Sequence, residues 1–218
     1  MTALTFPLSL AAFYDTIGVA SCTFEDTLPI ETSQMADGTI LKASLGASLW
    51  RGTLNLVPRT HADAQAIEAL VSVLKRPGSS FLARDPRRVG PKLDPTGSTL
   101  GANTVQINSL NVDNRQLSLK GLPASYVISV GDMLSFTYGS SPTRYALHRV
   151  VEAATANGSG VTPEFEVTPL IRSGAVTNAT VTLVKPVCKA VLLQGVSYGT
   201  TVRTYTEGMS FEFIQTLR

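Results

Sequence analysis

The chain has 218 residues, of which 44% are apolar and 16% charged, and 18 basic against 16 acidic side chains leave a formal charge of +2. That composition provides for one or two domains with a sizeable core, and it excludes disorder driven by net charge. It also gives a field too weak to recruit nucleic acid or an acidic membrane surface on its own.

The N-terminal stretch Met1 to Cys22 lacks the basic leader of a secretory signal, and no apolar run approaches the ~20 residues that span a bilayer, so a soluble chain made in the cytosol is expected. Thr, Val and Ile together supply 53 residues. With 17 Gly and 12 Pro as punctuation, this abundance of β-branched side chains predicts a mainly β fold. Val19 to Glu25 alternates, Thr39 to Ala43 does so less cleanly, and Leu49 to Val57 keeps a period of two up to Pro58. These three runs predict an antiparallel meander, with Asp26 to Gly38 as a long loop. Trp50 shares a side with Gly52, Leu54 and Leu56 and is expected to pack against the helix that follows.

That helix is predicted over 61–75. Ala62, Ala66, Ile67, Leu70, Val71 and Leu74 recur at three- and four-residue spacing, Thr60 is placed to cap the start, and Pro77-Gly78 ends it. A strand-like Phe81 to Arg84 leads into Asp85 to Thr96, a segment with three prolines and the basic residues Arg87, Arg88 and Lys92, read as a surface loop and a domain boundary. Short strands then follow at hairpin spacing: Thr104 to Ile107, Gln116 to Leu119, Met133 to Tyr138, Ala146 to Ala153, Glu164 to Pro169 and Thr180 to Leu183. That density suits a small barrel or sandwich. Past Pro186 the composition returns to that of the first third, with Cys188 to Leu193, Val202 to Thr206 and Met209 to Ile214 as further strands. The economical arrangement is an insertion, in which 1–95 and 186–218 form a β-sandwich with its helix and 97–185 form an inserted, barrel-like domain.

Residues that carry chemistry are sparse. Cys22 and Cys188 lie far apart in no metal-ligand spacing, which argues against zinc and for two reduced thiols. His61 opens the helix and His148 sits in a strand, neither beside a recognisable nucleophile. Glu164 and Glu166 share a strand face, explained by the alternation with Phe165 and Val167. Asp85 with Asp94 lacks the ligand density of a calcium loop, and Asp132 after Gly131 reads as a turn residue accepting from backbone N–H groups. Arg84, Arg87, Arg88 and Lys92 form the local charge excess; a nucleic-acid patch would interleave aromatics, so a solvated loop or an intersubunit ion pair is the reading.

Trp50-Arg51-Gly52-Thr53-Leu54, the helix after it, and Gly78 to Asp85 with Phe81 and Asp85-Pro86 follow one another in a recognisable order. Leu119-Lys120-Gly121-Leu122-Pro123, Val130-Gly131-Asp132-Met133-Leu134-Ser135-Phe136 and the ending Gly208-Met209-Ser210-Phe211-Glu212 extend it. Over most of its length the chain thereby resembles the distal tail proteins of long-tailed, siphovirus-type bacteriophages and of gene transfer agents. The resemblance implies a structural virion protein without enzymatic activity, cofactor or metal, made in the host cytoplasm and located at the distal end of the tail. It implies a ring, hexameric in the family, that joins the tail tube protein to the baseplate hub and serves as a docking platform during assembly and genome delivery. The tape measure protein and peripheral adhesins or fibres are further expected neighbours. Leu28, Ile30 and Met35 in the Asp26 to Gly38 loop, with Arg87 and Arg88, are the candidate interface residues. A competing reading from another class is a carbohydrate-binding tail module that uses Tyr126, Tyr138 and Tyr145 as a sugar platform.

Overall fold

The computed structural model describes residues 4–218, so the first three residues of the N-terminal stretch lie outside it. A short π-helical turn, Leu10–Tyr14, precedes β1 (Val19–Thr27), β2 (Ile30–Gln34), β3 (Ile40–Ser44) and β4 (Leu49–Leu56). The helix α1 covers His61–Leu74, and β5 (Phe81–Ala83) follows. Next come β6 (Gln106–Leu110), β7 (Gln116–Lys120), β8 (Val127–Ile128), β9 (Met133–Tyr138) and β10 (Arg144–Val150). After these lie β11 (Ala154–Thr155), β12 (Phe165–Thr168) and β13 (Val181–Thr182), and the long hairpin of β14 (Cys188–Thr201) and β15 (Thr206–Gln215) ends the chain. The fold is mainly β, as the β-branched composition predicts.

One five-stranded sheet has the order β1-β4-β15-β14-β5, so strands from both ends of the sequence interleave in it. A six-stranded sheet, β13-β9-β10-β12-β7-β6, is built wholly from residues between them. Its two edges meet: Gln106 bridges Thr180, Ile107 N–H donates to Ala179 O at 3.0 Å, and Val181 N–H donates to Val105 O at 2.8 Å. The sheet is thereby curled into a nearly closed barrel, which removes its free edges. Two pairs remain: β8 with β11, and β2 with β3, which forms a ribbon of its own. This corrects the expected meander, because β4 pairs directly with β1 and the ribbon leaves the sheet between them.

Each body has a core. In the first, Phe13, Ile17, Phe24, Trp50, Leu54, Phe81, Phe211 and Phe213 pack with the helix face Ala64, Ile67, Val71 and Leu74. In the barrel, Ile107, Leu117, Leu119, Phe136, Phe165 and Val167 fill the interior. Strand β4 alternates buried and open positions, with Trp50, Gly52, Leu54 and Leu56 inward. Helix α1 starts where the sequence marks it, since Thr60 Oγ1 accepts from Asp63 N–H at 3.3 Å, and it stops before Gly78, whose φ of +86° favours glycine.

Three further expectations need correction. Trp50 is fully buried, but its nearest partners are not on the helix: it stacks on Phe24 at 5.1 Å, lies 5.0 Å from the Arg149 guanidinium and donates Nε1–H to Leu147 O at 2.7 Å. The barrel strand β10 therefore closes over this end of β4. The segment Val202 to Thr206 is not a strand but the turn of the β14–β15 hairpin, with Val202 N–H donating to Tyr205 O at 2.8 Å. The Asp85 to Thr96 segment is not a simply solvated loop, because Asp85 and Asp94 are buried and pin it from below.

Candidate assembly interface

The three buried acids singled out in the sequence, Asp85, Asp94 and Asp132, are satisfied within the chain. Asp85 accepts from Arg87 Nε at 2.9 Å and Arg87 Nη2 at 2.9 Å, with Arg88 Nε 3.7 Å away. Arg88 also reaches across to the carbonyl of Gly131 at the base of the barrel. Asp94 accepts from Leu100 N–H at 2.8 Å and Thr99 N–H at 3.1 Å; burial would raise its pKa, but these bonds hold the carboxyl below its ordinary value. Asp132 accepts from Ser129 N–H and Lys92 N–H, both at 2.8 Å, so the turn role read for it is the one it plays. Arg87 and Arg88 thus fasten the connecting segment between the two bodies.

His148 is buried, stacks on Phe136 at 5.4 Å, and places Nδ1 2.7 Å from Pro169 O. A carbonyl only accepts, so Nδ1 carries the proton and the ring is neutral with Nε2 as an acceptor. Burial, aided by nearby Arg172, lowers its pKa to about 4. His61 opens α1 and places Nδ1 3.0 Å from Thr206 Oγ1, joining the helix to the start of β15. Burial raises the thiol of Cys22 to about 11 and that of Cys188 to about 12, and both are unpaired. Among the described residues, no group of three or more His, Cys, Asp or Glu side chains is placed to hold a metal ion, and no helix is long and apolar enough to cross a membrane. Tyr126 and Tyr138 are buried at 5% exposure each, which corrects the reading of Tyr126, Tyr138 and Tyr145 as an exposed sugar platform.

The candidate interface residues of the Asp26 to Gly38 segment are placed quite differently. Asp26 and Thr27 end β1, and Ile30 and Met35 belong to the ribbon, where Ile30 pairs with Ser44 and Gln34 with Ile40. The tip is tied by Met35 N–H to Thr39 O at 2.8 Å and by Thr39 N–H to the Asp37 carboxylate at 2.8 Å, with Gly38 at φ +86°. Leu28 and Ile30 are 47% exposed and Met35 50%. Ile40, Leu41 and Leu45 on the returning strand are as open or more so. Six large apolar side chains thus stand in water on one two-stranded ribbon, a structure of marginal stability by itself.

Sequence reading found half of this feature. It took Leu28, Ile30 and Met35 but missed Ile40, Leu41 and Leu45, although Asp37-Gly38 between two alternating runs is a hairpin signal. The groove at the ribbon's root was also unannounced. It has a volume of about 490 Å³ and lies between Asp26, Leu28 and Ser48 on one side and Arg115, Glu166 and Pro169 to Arg172 on the other. Its walls come from segments more than a hundred residues apart, beyond the reach of local patterning. Arg172 Nη2 donates to Ser48 O at 2.7 Å and fixes one end.

No family model matches the chain, and no curated protein matches it.

Proposed function

We propose that this protein is a structural component of a phage-type tail tip, a distal tail protein whose copies form a ring between the tail tube and the baseplate hub. The observation that carries the reading is the β2–β3 ribbon, which exposes Leu28, Ile30, Met35, Ile40, Leu41 and Leu45 away from both cores. A two-stranded ribbon that holds six large aliphatic side chains about half exposed or more, apart from both cores, is built to be covered by something else. In this reading the helix-backed sheet and the ribbon make up the ring-building β-sandwich domain, residues 1–95 and 186–218. The barrel-like body, 97–185, is the peripheral domain inserted in it. The order of Trp50-Arg51-Gly52, helix and Phe81 to Pro86, which resembles the distal tail family, supports the same assignment. A ring of identical copies draws its affinity from repetition of one contact, so it needs neither a catalytic group nor a strong net charge.

The test is assembly. Replacing Leu28 and Ile30 with Asp puts charges at exposed positions, so the fold should persist with an unchanged melting midpoint, while any interface that buries them acquires unpaired charge. The wild type is expected to sediment as a closed oligomer with ring-shaped particles in negative-stain images, and the double variant as a folded monomer. A wild type that stays monomeric at high concentration and with its tail partners present would overturn the reading.

A further inference from the structure

We propose that the seam between the two bodies is a binding site for one buried water molecule, hydrogen-bonded to Ser48 Oγ on one side and to His148 Nε2 on the other. The site is independent of the ring reading. A small cavity lies where the approach to β4 and the end of β15 meet the barrel, and its wall includes Ser48, Leu147, His148, Pro169, Arg172 and Gln215. Most polar groups around it are bonded to one another. Arg172 Nη2 donates to Ser48 O at 2.7 Å, and His148 Nδ1–H donates to Pro169 O at 2.7 Å. Gln215 Oε1 accepts from Trp50 N–H at 3.2 Å, and Gln215 Nε2 donates to Tyr145 O at 2.9 Å. Two atoms are left over. Ser48 Oγ and His148 Nε2 are both shut off from bulk solvent, and among the described residues neither has a hydrogen-bond partner, so they do not bond to each other either. A buried polar atom without a partner loses its hydration and regains nothing for it.

The chemistry of these two atoms defines the occupant. With its proton on Nδ1, His148 can only accept at Nε2, while the Ser48 hydroxyl can donate or accept. The occupant must therefore donate a proton to Nε2 and also bond to Oγ. A bare anion has no proton to give Nε2. A metal cation would lie close to the Arg172 guanidinium with no cluster of acidic or sulfur ligands to offset it. Water meets both demands, and size agrees. The space open to the centre of a water molecule is about 10 Å³, room for one water and for nothing larger. A water so placed ties β10 to the residue before β4. It adds to the direct bonds from Trp50 Nε1–H and Gln215 Nε2 to carbonyls of β10, which also cross from one body to the other.

The test is a crystal structure of the full chain at a resolution that shows ordered water, combined with melting of two variants. One water is expected within hydrogen-bond distance, about 2.7–3.2 Å, of both atoms. A dry cavity, or Ser48 Oγ bonded directly to Nε2, overturns the proposal. In solution, Ser48→Ala should lower the melting midpoint by about 2–4 °C, as the loss of one hydrogen bond does in a chain of this size. Without a bridging water the same change merely removes an unpaired hydroxyl, so a midpoint that stays or rises also overturns it. In a His148→Phe background the loss caused by Ser48→Ala should fall below half, because that background has already lost the water's acceptor. An equal loss in both backgrounds shows two separate effects and overturns the bridge.

Discussion

Gly52 shows how one residue without a side chain shapes the first core. In the sheet it stands between Phe24 on β1 and Phe213 on β15, its register partners on either side. A Cβ there would meet Phe213 Cζ at 2.5 Å and Thr23 O at 2.8 Å, so the glycine is the floor on which the Phe213 ring rests. Gly52→Ala is expected to cost about 1–3 kcal/mol by overpacking, read as a lower urea midpoint at constant slope. His148 provides a pH test. Its folded pKa of about 4 lies below the ordinary value of 6.5, so between these values the unfolded chain binds the proton that the folded one refuses. The contribution is therefore whole above pH 6.5 and is lost as pH falls toward 4, by about 3 kcal/mol in total. Denaturation midpoints at pH 7, 5.5 and 4.5 should fall more steeply for the wild type than for His148→Phe, which keeps a ring against Phe136 but has nothing to protonate. Parallel curves would count against this role.

At the scale of elements, the local signals were legible and the long-range ones were not. Helix α1 ends within one residue of its reading because its cap, its period and its Pro-Gly stop all lie in adjacent sequence. Thr60→Ala should remove the bond to Asp63 N–H and cost about 1 kcal/mol, measurable by chemical denaturation, with Thr60→Ser restoring most of it. Strand β9 coincides with Met133 to Tyr138 for a similar reason, a turn at Gly131-Asp132 before it and Gly139 after it. What alternation could not supply was partnership. The run Thr39 to Ala43 reads as a strand, but nothing in it says that it pairs with Ile30 to Gln34 and not with Leu49 to Leu56. Likewise Trp50 signals burial, while the identity of its cover, Leu147 and Arg149, lies about a hundred residues away. The two acids at 85 and 94 were placed in a loop by their prolines, and only the fold shows that they are its buried anchors.

At the scale of the whole molecule, the two cores differ in independence. The barrel core is drawn from its own strands, whereas the core around Trp50 borrows Met133 and Leu147 from the barrel. A fragment spanning 97–185 is therefore expected to unfold cooperatively on its own. Deleting that span, with a short linker where Gly97 and Val184 already touch, should leave a β-rich remainder that melts lower and binds an apolar dye at the uncovered Trp50 face. Near-UV circular dichroism and dye fluorescence decide between this asymmetry and two equally independent bodies. The interleaved order β1-β4-β15-β14-β5 has a consequence in time. On a ribosome, β1 and β4 emerge early, but the strand that must lie beside β4 is the last one made. At about 5–20 residues per second, the first sheet waits on the order of ten seconds while the barrel is synthesised and folds. Until β15 arrives, the β1–β4 pair from which the ribbon springs carries an open edge along β4, the side on which a neighbouring nascent chain could add a strand of its own.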